Sequence, residues 1–186
     1  YSSVLESRTR ATGTSTRDVS GYKMDYAAYS DTQLLPSALS RLSVVNGTAG
    51  VFEEDVRVLS YTDNGNPTEV VDRSGMHTVY VWGYNDRYMV AEVKNAGLDL
   101  VNAALNGTGD ISLLRTNPSL AGAMVTTWTW QPLVGVTSQT DAAGTTTYYD
   151  YDGLGRLTEV YRYHGNIVSS ANKEVISRYD YHTKTQ

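Results

Sequence analysis

From Val51 onward, hydrophobic and polar positions alternate in short runs that turn-forming residues separate. The runs read "DVRVLSY", "TEVVD", "HTVYVWGY" and "YMVAEV", and the intervening turns read "TDNGNP", "RSGM" and "NDR". Successive side chains of a strand point to opposite faces, so this alternation predicts half-buried strands. Short strands at a spacing of roughly 8–12 residues are typical of an antiparallel, mainly β protein.

The segment from residue 96 to residue 124 interrupts this rhythm. It is rich in Ala and Leu, and Leu98, Val101 and Leu105 fall on one helical face. Asn106-Gly107 predicts a helix C-terminus, and Asn117-Pro118 predicts the start of a second helix. We therefore expect a small helical insertion, after which strands resume at "VTTWTWQPLVGVTSQTD".

The first 53 residues follow no clear period. Residues 1–20 are rich in Ser, Thr and Arg, which predicts an extended or frayed edge. Tyr22, Tyr26 and Tyr29 are spaced as in a helix, yet residues 21–45 also fit an alternating strand. We expect two regions: an N-terminal segment over 1–53 that is partly strand, and a hairpin region over 54–186.

A repeat emerges when segments of the hairpin region are laid over each other. "YTDNGNPTEV" (61–70) aligns without gaps on "YDGLGRLTEV" (151–160), and 72–82 aligns on 141–151. The C-terminal "YDYH" is a third echo. Shared spacing of this kind predicts one hairpin unit used several times. The positions assigned to the repeat are Tyr61, Gly65, Tyr80, Trp82, Asp141, Gly144, Tyr149, Tyr151, Asp152, Gly155, Arg156 and Leu157.

Each residue type in the unit has a physical role. Tyr149 and Tyr151 are two apart and share one face of a strand, whereas Asp152 can hydrogen-bond the backbone of the turn that it opens. Gly153 and Gly155 are predicted to supply positive φ angles in that turn. Leu157 and Tyr161 are predicted to share the face of the return strand opposite the two tyrosines. Single hairpins are marginal in water, so the units must lie side by side.

Composition narrows the class of protein. The chain has 15 Tyr and 3 Trp but a single Phe, and amphipathic rings suit sheets with partly wet faces. A net charge of −5 without a Lys/Arg cluster argues against nucleic-acid binding. The absence of Cys excludes disulfides and thiolate metal sites. No apolar run approaches the roughly 18 residues of a membrane span, and we expect no membrane-spanning segment.

On these residues, the chain resembles the Rhs/YD-repeat proteins. "YDGLGRLTEV" is similar to the YD repeat, and "TVYVWGYNDRYMVAEVKNA" resembles the C-terminal repeat region of such proteins in Bacteroides-like bacteria. The resemblance covers about 54–186. It implies a curled antiparallel sheet of repeated hairpins, which in large members spirals into a shell that can enclose a toxin. This chain is too short to close such a shell. It also lacks the aspartate- and proline-rich segment at which full-length members cleave themselves, so we do not expect autoproteolysis.

Catalytic and metal-binding patterns are weak. His77, His164 and His182 do not have metal-ligand spacing. Asp150 and Asp152 suggest a calcium loop, but Leu154 and Tyr161 stand where further oxygen ligands are needed. Turn-forming aspartates explain the pattern better, and we expect no catalytic, cofactor or metal site.

The leading hypothesis is a non-catalytic scaffold fragment of a larger secreted or surface protein of a bacterium. The alternative is a carbohydrate-binding module in which Trp82, Trp128 and Trp130 stack on sugar rings. The expected partners are the rest of its own longer chain, further copies through open sheet edges, and, in the alternative, a glycan.

Overall fold

The computed structural model describes residues 2–13, 17–30, 33–45 and 48–181. In these ranges the chain forms a 12-stranded sheet in which each strand neighbours the strands before and after it. The strands are β1 (Ser2–Ala11), β2 (Arg17–Ala28), β3 (Leu34–Val45), β4 (Thr48–Tyr61), β5 (Pro67–Asp72), β6 (His77–Gly83), β7 (Tyr88–Lys94), β8 (Met124–Gln131), β9 (Gly135–Thr140), β10 (Thr146–Tyr151), β11 (Leu157–Tyr163) and β12 (Lys173–Arg178). The mainly β antiparallel fold predicted from the alternation is confirmed.

The chain divides into two compact units. The first consists of Tyr1–Tyr80 with Lys94–Val101, and the second of Val81–Val93 with Asn102–Gln186. The first unit holds β1 to β5 and the start of β6, whereas the second holds β8 to β12. The division predicted between residues 53 and 54 stays a prediction.

The first four strands, β1 to β4, are long, with 10, 12, 12 and 14 residues, and β4 extends past the predicted N-terminal segment to Tyr61. The ambiguous spacing of Tyr22 and Tyr26 resolves as strand, because β2 is paired along both of its edges. Leu5 faces Met24 across β1 and β2, and Met24 faces Leu39 across β2 and β3. Pairing on both sides satisfies the backbone groups that a helix would otherwise satisfy internally.

The helical insertion is also confirmed. It contains α1 (Leu98–Leu105), α2 (Leu113–Thr116) and a 3-10 turn (Pro118–Leu120). Asn106 and Gly107 have φ angles of 48° and 68°, the left-handed conformation that ends a helix. The side chain of Asn117 accepts the backbone N–H of Ser119, so the predicted second start is a short 3-10 turn. α2 itself was not predicted from the sequence.

The strands bury few side chains completely. The largest side chains that are almost fully buried are Val79 and Val93, which lie on strands, and Val101 and Leu114, which lie on helices. In contrast, every residue of β5 and β9 is only half buried. Such sheets agree with a composition dominated by amphipathic Tyr rather than Phe.

Candidate functional site: the repeated hairpin turn

Among the residues that the structure describes, four hairpin turns have the same hydrogen-bond pattern. They span residues 62–66, 72–76, 141–145 and 152–156, and they join β4 to β5, β5 to β6, β9 to β10 and β10 to β11. In each, the first residue's N–H donates to the carbonyl of the fifth, and the fourth residue's N–H donates to the carbonyl of the first. The N–O distances lie between 2.7 and 3.1 Å. The sequence repeat is therefore a repeat of three-dimensional structure.

The fourth residue of each turn is a glycine with a left-handed backbone. The φ angles are 83° at Gly65, 83° at Gly75, 85° at Gly144 and 75° at Gly155. An L-residue pays for this conformation because its Cβ approaches the neighbouring carbonyl. Gly153 is not among the residues with positive φ, so its predicted role in the turn was wrong; one left-handed residue suffices to close this turn.

An aspartate opens three of the four turns and binds their backbone. Asp72 Oδ1 accepts the N–H groups of Ser74 at 2.8 Å and Met76 at 3.0 Å. Asp141 Oδ1 accepts the N–H of Thr145 at 2.9 Å. Hydrogen bonds from the Ser74 hydroxyl and from backbone N–H groups hold the pKa of Asp72 below its usual value.

The Asp152 turn adds an ion pair to the same pattern. Asp152 Oδ1 accepts the N–H groups of Leu154 and Arg156, both at 2.9 Å. The Arg156 guanidinium donates to Asp152 Oδ2 at 2.7 Å. The backbone bond from Arg156, supported by its guanidinium, lowers the pKa of Asp152. The Asp and Arg of the "YDxxGR" pattern therefore act on one another.

A β-bulge follows two of these turns at matching positions. Ser60 faces Glu69 and Tyr61 faces Pro67, which leaves Thr68 as the extra residue. Asp150 faces Glu159 and Tyr151 faces Leu157, which leaves Thr158 as the extra residue. The bulge also bends and twists the strand that carries it.

The bulge overturns the predicted common face of Leu157 and Tyr161. Leu157 faces Tyr151, whereas Tyr161 faces Tyr148. Because one extra residue lies between them, the ordinary two-residue period of the strand does not hold there. Tyr161 instead stacks on Tyr148, with ring centroids 5.4 Å apart.

The tyrosine of the repeat makes the same type of hydrogen bond in all three copies, from its hydroxyl to a backbone carbonyl. Tyr151 donates its hydroxyl to the Val136 carbonyl at 2.8 Å, and Tyr61 donates to the Pro36 carbonyl. Tyr181, in the third echo, donates to the Leu157 carbonyl at 2.9 Å. Val136 and Pro36 lie near the start of the strand that precedes the strand of the tyrosine, and Leu157 is the first residue of β11. Burial raises the pKa of Tyr61 and of Tyr151.

Sequence reasoning missed the role of the glutamate in "TEV". Glu159 is 8% exposed and binds Lys173 Nζ and the Arg178 guanidinium, one at each end of β12. Lys173 provides the largest effect that lowers the pKa of Glu159, followed by Arg178.

The equivalent glutamate in the first unit binds a different element. Glu69 Oε1 lies 2.7 Å from His77 Nδ1 on β6 and accepts the N–H of Leu98, at the start of α1, at 3.1 Å. The only sequence signal for this role was the recurrence of Thr-Glu-Val in the two aligned copies.

Aromatic clusters occupy the strand faces of the second unit. Tyr148, Tyr161 and Tyr163 contact one another with centroid distances of 5.3 to 5.6 Å. Lys173 Nζ lies 3.8 Å from the centroid of Tyr161. Burial, followed by the charge of Asp150, raises the pKa of Tyr161 to about 12.

The tryptophans named for glycan stacking lie on strands. Trp82 on β6, Trp128 on β8 and Trp130 on β8 are half buried. Trp130 stacks on Tyr88 at 5.0 Å and donates its Nε1–H to the Met89 carbonyl at 2.8 Å. One face of Trp130 is therefore occupied. Glycan stacking by these three residues stays a prediction.

The other predicted site residues are distributed over both units. Tyr80 lies on β6, Tyr149 lies on β10, and both are half buried. His77 Nδ1 lies 2.7 Å from Glu69 Oε1, and His164 Nε2 lies 3.7 Å from a carboxylate oxygen of Glu174. His182 lies outside the described residues. Within the described ranges, no group of three or more His, Asp or Glu side chains has a metal-binding arrangement.

A known protein family matches the part of the chain that contains two of these hairpin turns. Residues 134–169 match the family model named RHS Repeat. This segment is therefore similar to an RHS repeat. The matched segment contains β9, β10 and β11 with the turns at 141–145 and 152–156, and confirms the resemblance there. No curated protein matches the chain.

Two solved structures resemble the chain more loosely. The "Crystal Structure of TcdB2-TccC3 without hypervariable C-terminal region" is 14% identical, with 87% of this chain and 8% of that chain covered and a TM-score of 0.49. The "Crystal Structure of TcdB2-TccC3-Cdc42" is 16% identical, with 93% and 7% covered and a TM-score of 0.26. The chain thus spans less than a tenth of either structure's chain. At these TM-scores neither likeness bears on fold or function.

Proposed function

We propose that the chain is a non-catalytic scaffold segment of a longer secreted or surface protein of a bacterium. The observation that carries this proposal is the fourfold recurrence of one hairpin turn with the same two backbone bonds. A catalytic site needs one special arrangement of groups, whereas a scaffold needs a unit that can be added many times.

The polar groups of the repeat support the same proposal. The aspartates of the turns accept N–H groups of their own turn, the repeat tyrosines donate to neighbouring carbonyls, and Glu159 is bound by two cations. Groups engaged in this way hold strands together and are not poised to bind or transform a substrate.

The proposed location outside the cell rests on the RHS repeat at 134–169. In the residues that the structure describes, no helix combines the length and the apolar character that crossing a bilayer requires. The proposed partner of the segment is the remainder of its own longer chain.

An exchange of turns tests the scaffold proposal. The variant carries "DGLGR" of residues 152–156 in place of "DAAGT" at residues 141–145, and a second variant makes the reciprocal change. If the turns serve only to join strands, both variants keep the β-type circular dichroism spectrum and a cooperative melting transition. Loss of the sheet in both variants would show that each turn carries position-specific chemistry, which contradicts interchangeable building blocks.

A further inference from the structure

We propose that Asn106 is a site of spontaneous deamidation, at which the side-chain amide is replaced by a carboxylate without an enzyme. The site lies directly after α1 (Leu98–Leu105), where the helix ends on the pair Asn106-Gly107. Both residues are exposed and both have a left-handed backbone, with φ angles of 48° and 68°. The pair belongs to none of the repeated hairpin turns, so deamidation there is independent of the proposed scaffold role.

The reaction needs an amide side chain that is followed by an accessible backbone nitrogen. The nitrogen of Gly107 attacks Cγ of Asn106, the new N–Cγ bond closes a five-membered succinimide ring, and Nδ2 leaves as ammonia with the proton of the attacking nitrogen. Water then opens the ring. Opening at Cγ gives aspartate, whereas opening at the backbone carbonyl gives isoaspartate, in which the main chain runs through the former side chain. Glycine favours the attack because it has no Cβ beside the nitrogen.

Nothing in its surroundings fixes the peptide group between Asn106 and Gly107. No described residue makes a hydrogen bond to its C=O or its N–H, and none makes one to the Asn106 side chain. The space where a Cβ of Gly107 would stand is open, with no atom beyond the chain neighbours within 4 Å. Rotation of this one peptide therefore brings the Gly107 nitrogen towards Cγ without breaking a hydrogen bond of α1, and glycine tolerates the change in φ.

The hairpin turn at 62–66 holds the same dipeptide, Asn-Gly, in a different environment. The N–H of Gly65 donates to the Thr62 carbonyl at 2.8 Å, and this is one of the two bonds that define the repeated turn. The nitrogen that would attack Asn64 is therefore fixed, because a bond of the turn must break before the reaction. The third such pair, Asn46-Gly47, lies outside the described residues.

Deamidation of Asn106 weakens the end of α1. The new carboxylate lies at the C-terminus of a helix, where the helix dipole disfavours negative charge. The last turn of α1 contains no basic residue that compensates this charge. Isoaspartate also lengthens the main chain between the two ends of the hydrogen bond from the Thr108 N–H to the Leu105 carbonyl, which is 2.9 Å long. The last turn of α1 therefore loosens as the chain ages.

The test is peptide mapping of the whole 186-residue chain after prolonged incubation at mildly alkaline pH. Trypsin cleaves after Lys and Arg and places the two sites in separate peptides, 58–73 and 95–115. Mass spectrometry then detects the exchange of an amide for a carboxyl group. In the folded chain we expect Asn106 to deamidate about fivefold faster than Asn64 or more, the factor that corresponds to one backbone hydrogen bond. Asn102, which is not followed by glycine, is expected to stay largely unmodified.

Incubation in guanidinium chloride is the matched control, because both pairs are Asn-Gly and only the fold distinguishes them. We expect the rates at Asn64 and Asn106 to converge there. Asn106→Gln is expected to abolish the mass change of peptide 95–115, and persistence of that change would assign the reaction to another asparagine. Equal rates at the two sites in the folded chain, no modification of Asn106, or a difference that persists in guanidinium chloride would each overturn the proposal. None of these outcomes affects the scaffold proposal, which the exchanged turns test separately.

Discussion

At the residue scale, the repeat depends on what a few side chains do to the backbone beside them. An aspartate opens three of the turns, a glycine takes the left-handed position in all four, and an extra threonine forms a bulge after two of them. These features are local, so the sequence alone predicted the turns and their Asp and Gly residues. It did not predict the bulges, because a bulge exists only relative to the register of a partner strand.

Gly155 and Gly153 offer a matched pair of substitutions within one turn. Gly155 has a φ of 75°, and a Cβ there would meet only ordinary contacts with Val134 at 3.7 Å or more. Gly155→Ala is therefore expected to lower the free energy of unfolding by about 1–2 kcal/mol through backbone strain alone. Gly153→Ala has open space and no positive φ, and is expected to be neutral or slightly stabilising.

Urea denaturation of the two variants measures this difference. Equal destabilisation by Gly153→Ala and Gly155→Ala would contradict the assignment of the left-handed backbone conformation to Gly155 alone.

At the element scale, the glutamate of "TEV" joins each hairpin to the element that follows. Glu159 binds residues at both ends of β12, and Glu69 binds β6 and the first turn of α1. The partners of Glu69 lie 8 and 29 residues further along the chain. No local pattern predicts such contacts. The strands of residues 1–53 could not be assigned clearly from the sequence for the same reason. β2 and β3 are defined by their hydrogen bonds to neighbouring strands and not by a clear alternation of hydrophobic and polar residues.

Attachment of β12 is expected to depend on pH through Glu159. The pKa of Glu159 is lower in the folded chain than the usual value of a glutamate, because Lys173 and Arg178 donate hydrogen bonds to its carboxylate. The stabilisation that Glu159 provides is therefore fully present above the pKa that Glu159 has in the unfolded chain. It is lost as the pH falls through the pKa of Glu159 in the folded chain. The protection factors of the β12 amides, which are exchange rates corrected for the intrinsic pH dependence, should therefore fall on acidification into that range.

The control for this effect is the Glu159→Gln variant, in which β12 exchanges faster at neutral pH and responds less to acid. Glu54→Gln, at an exposed position on β4, should behave like the parent chain. An acid response of β12 that is unchanged in Glu159→Gln would assign it to another group.

At the scale of the whole molecule, the strand order of the sheet has a first and a last member, each of which has a neighbouring strand on one side only. In the described part of the chain β1 and β12 are the first and last strands of the sheet, and on β12 Val175 and Ile176 are 42% and 51% exposed. Exposed strand edges pair with other strands. We propose that copies of this chain associate through such edges.

Light scattering across a concentration series measures this association. The parent chain is expected to gain mass with concentration, and Ile176→Lys is expected to reduce that gain, because a charge on an edge strand opposes pairing. A strict monomer at all concentrations would contradict edge pairing.

Residue-by-residue amide hydrogen exchange, followed by NMR, tests the repeated turn most directly. The N–H of the fourth residue is bonded in all four turns, so the amides of Gly65, Gly75, Gly144 and Gly155 are predicted to be protected together. Gly153, two residues before Gly155, is the internal comparison and is expected to exchange faster. Exchange of the four glycine amides at the rate of an unstructured chain would contradict the account.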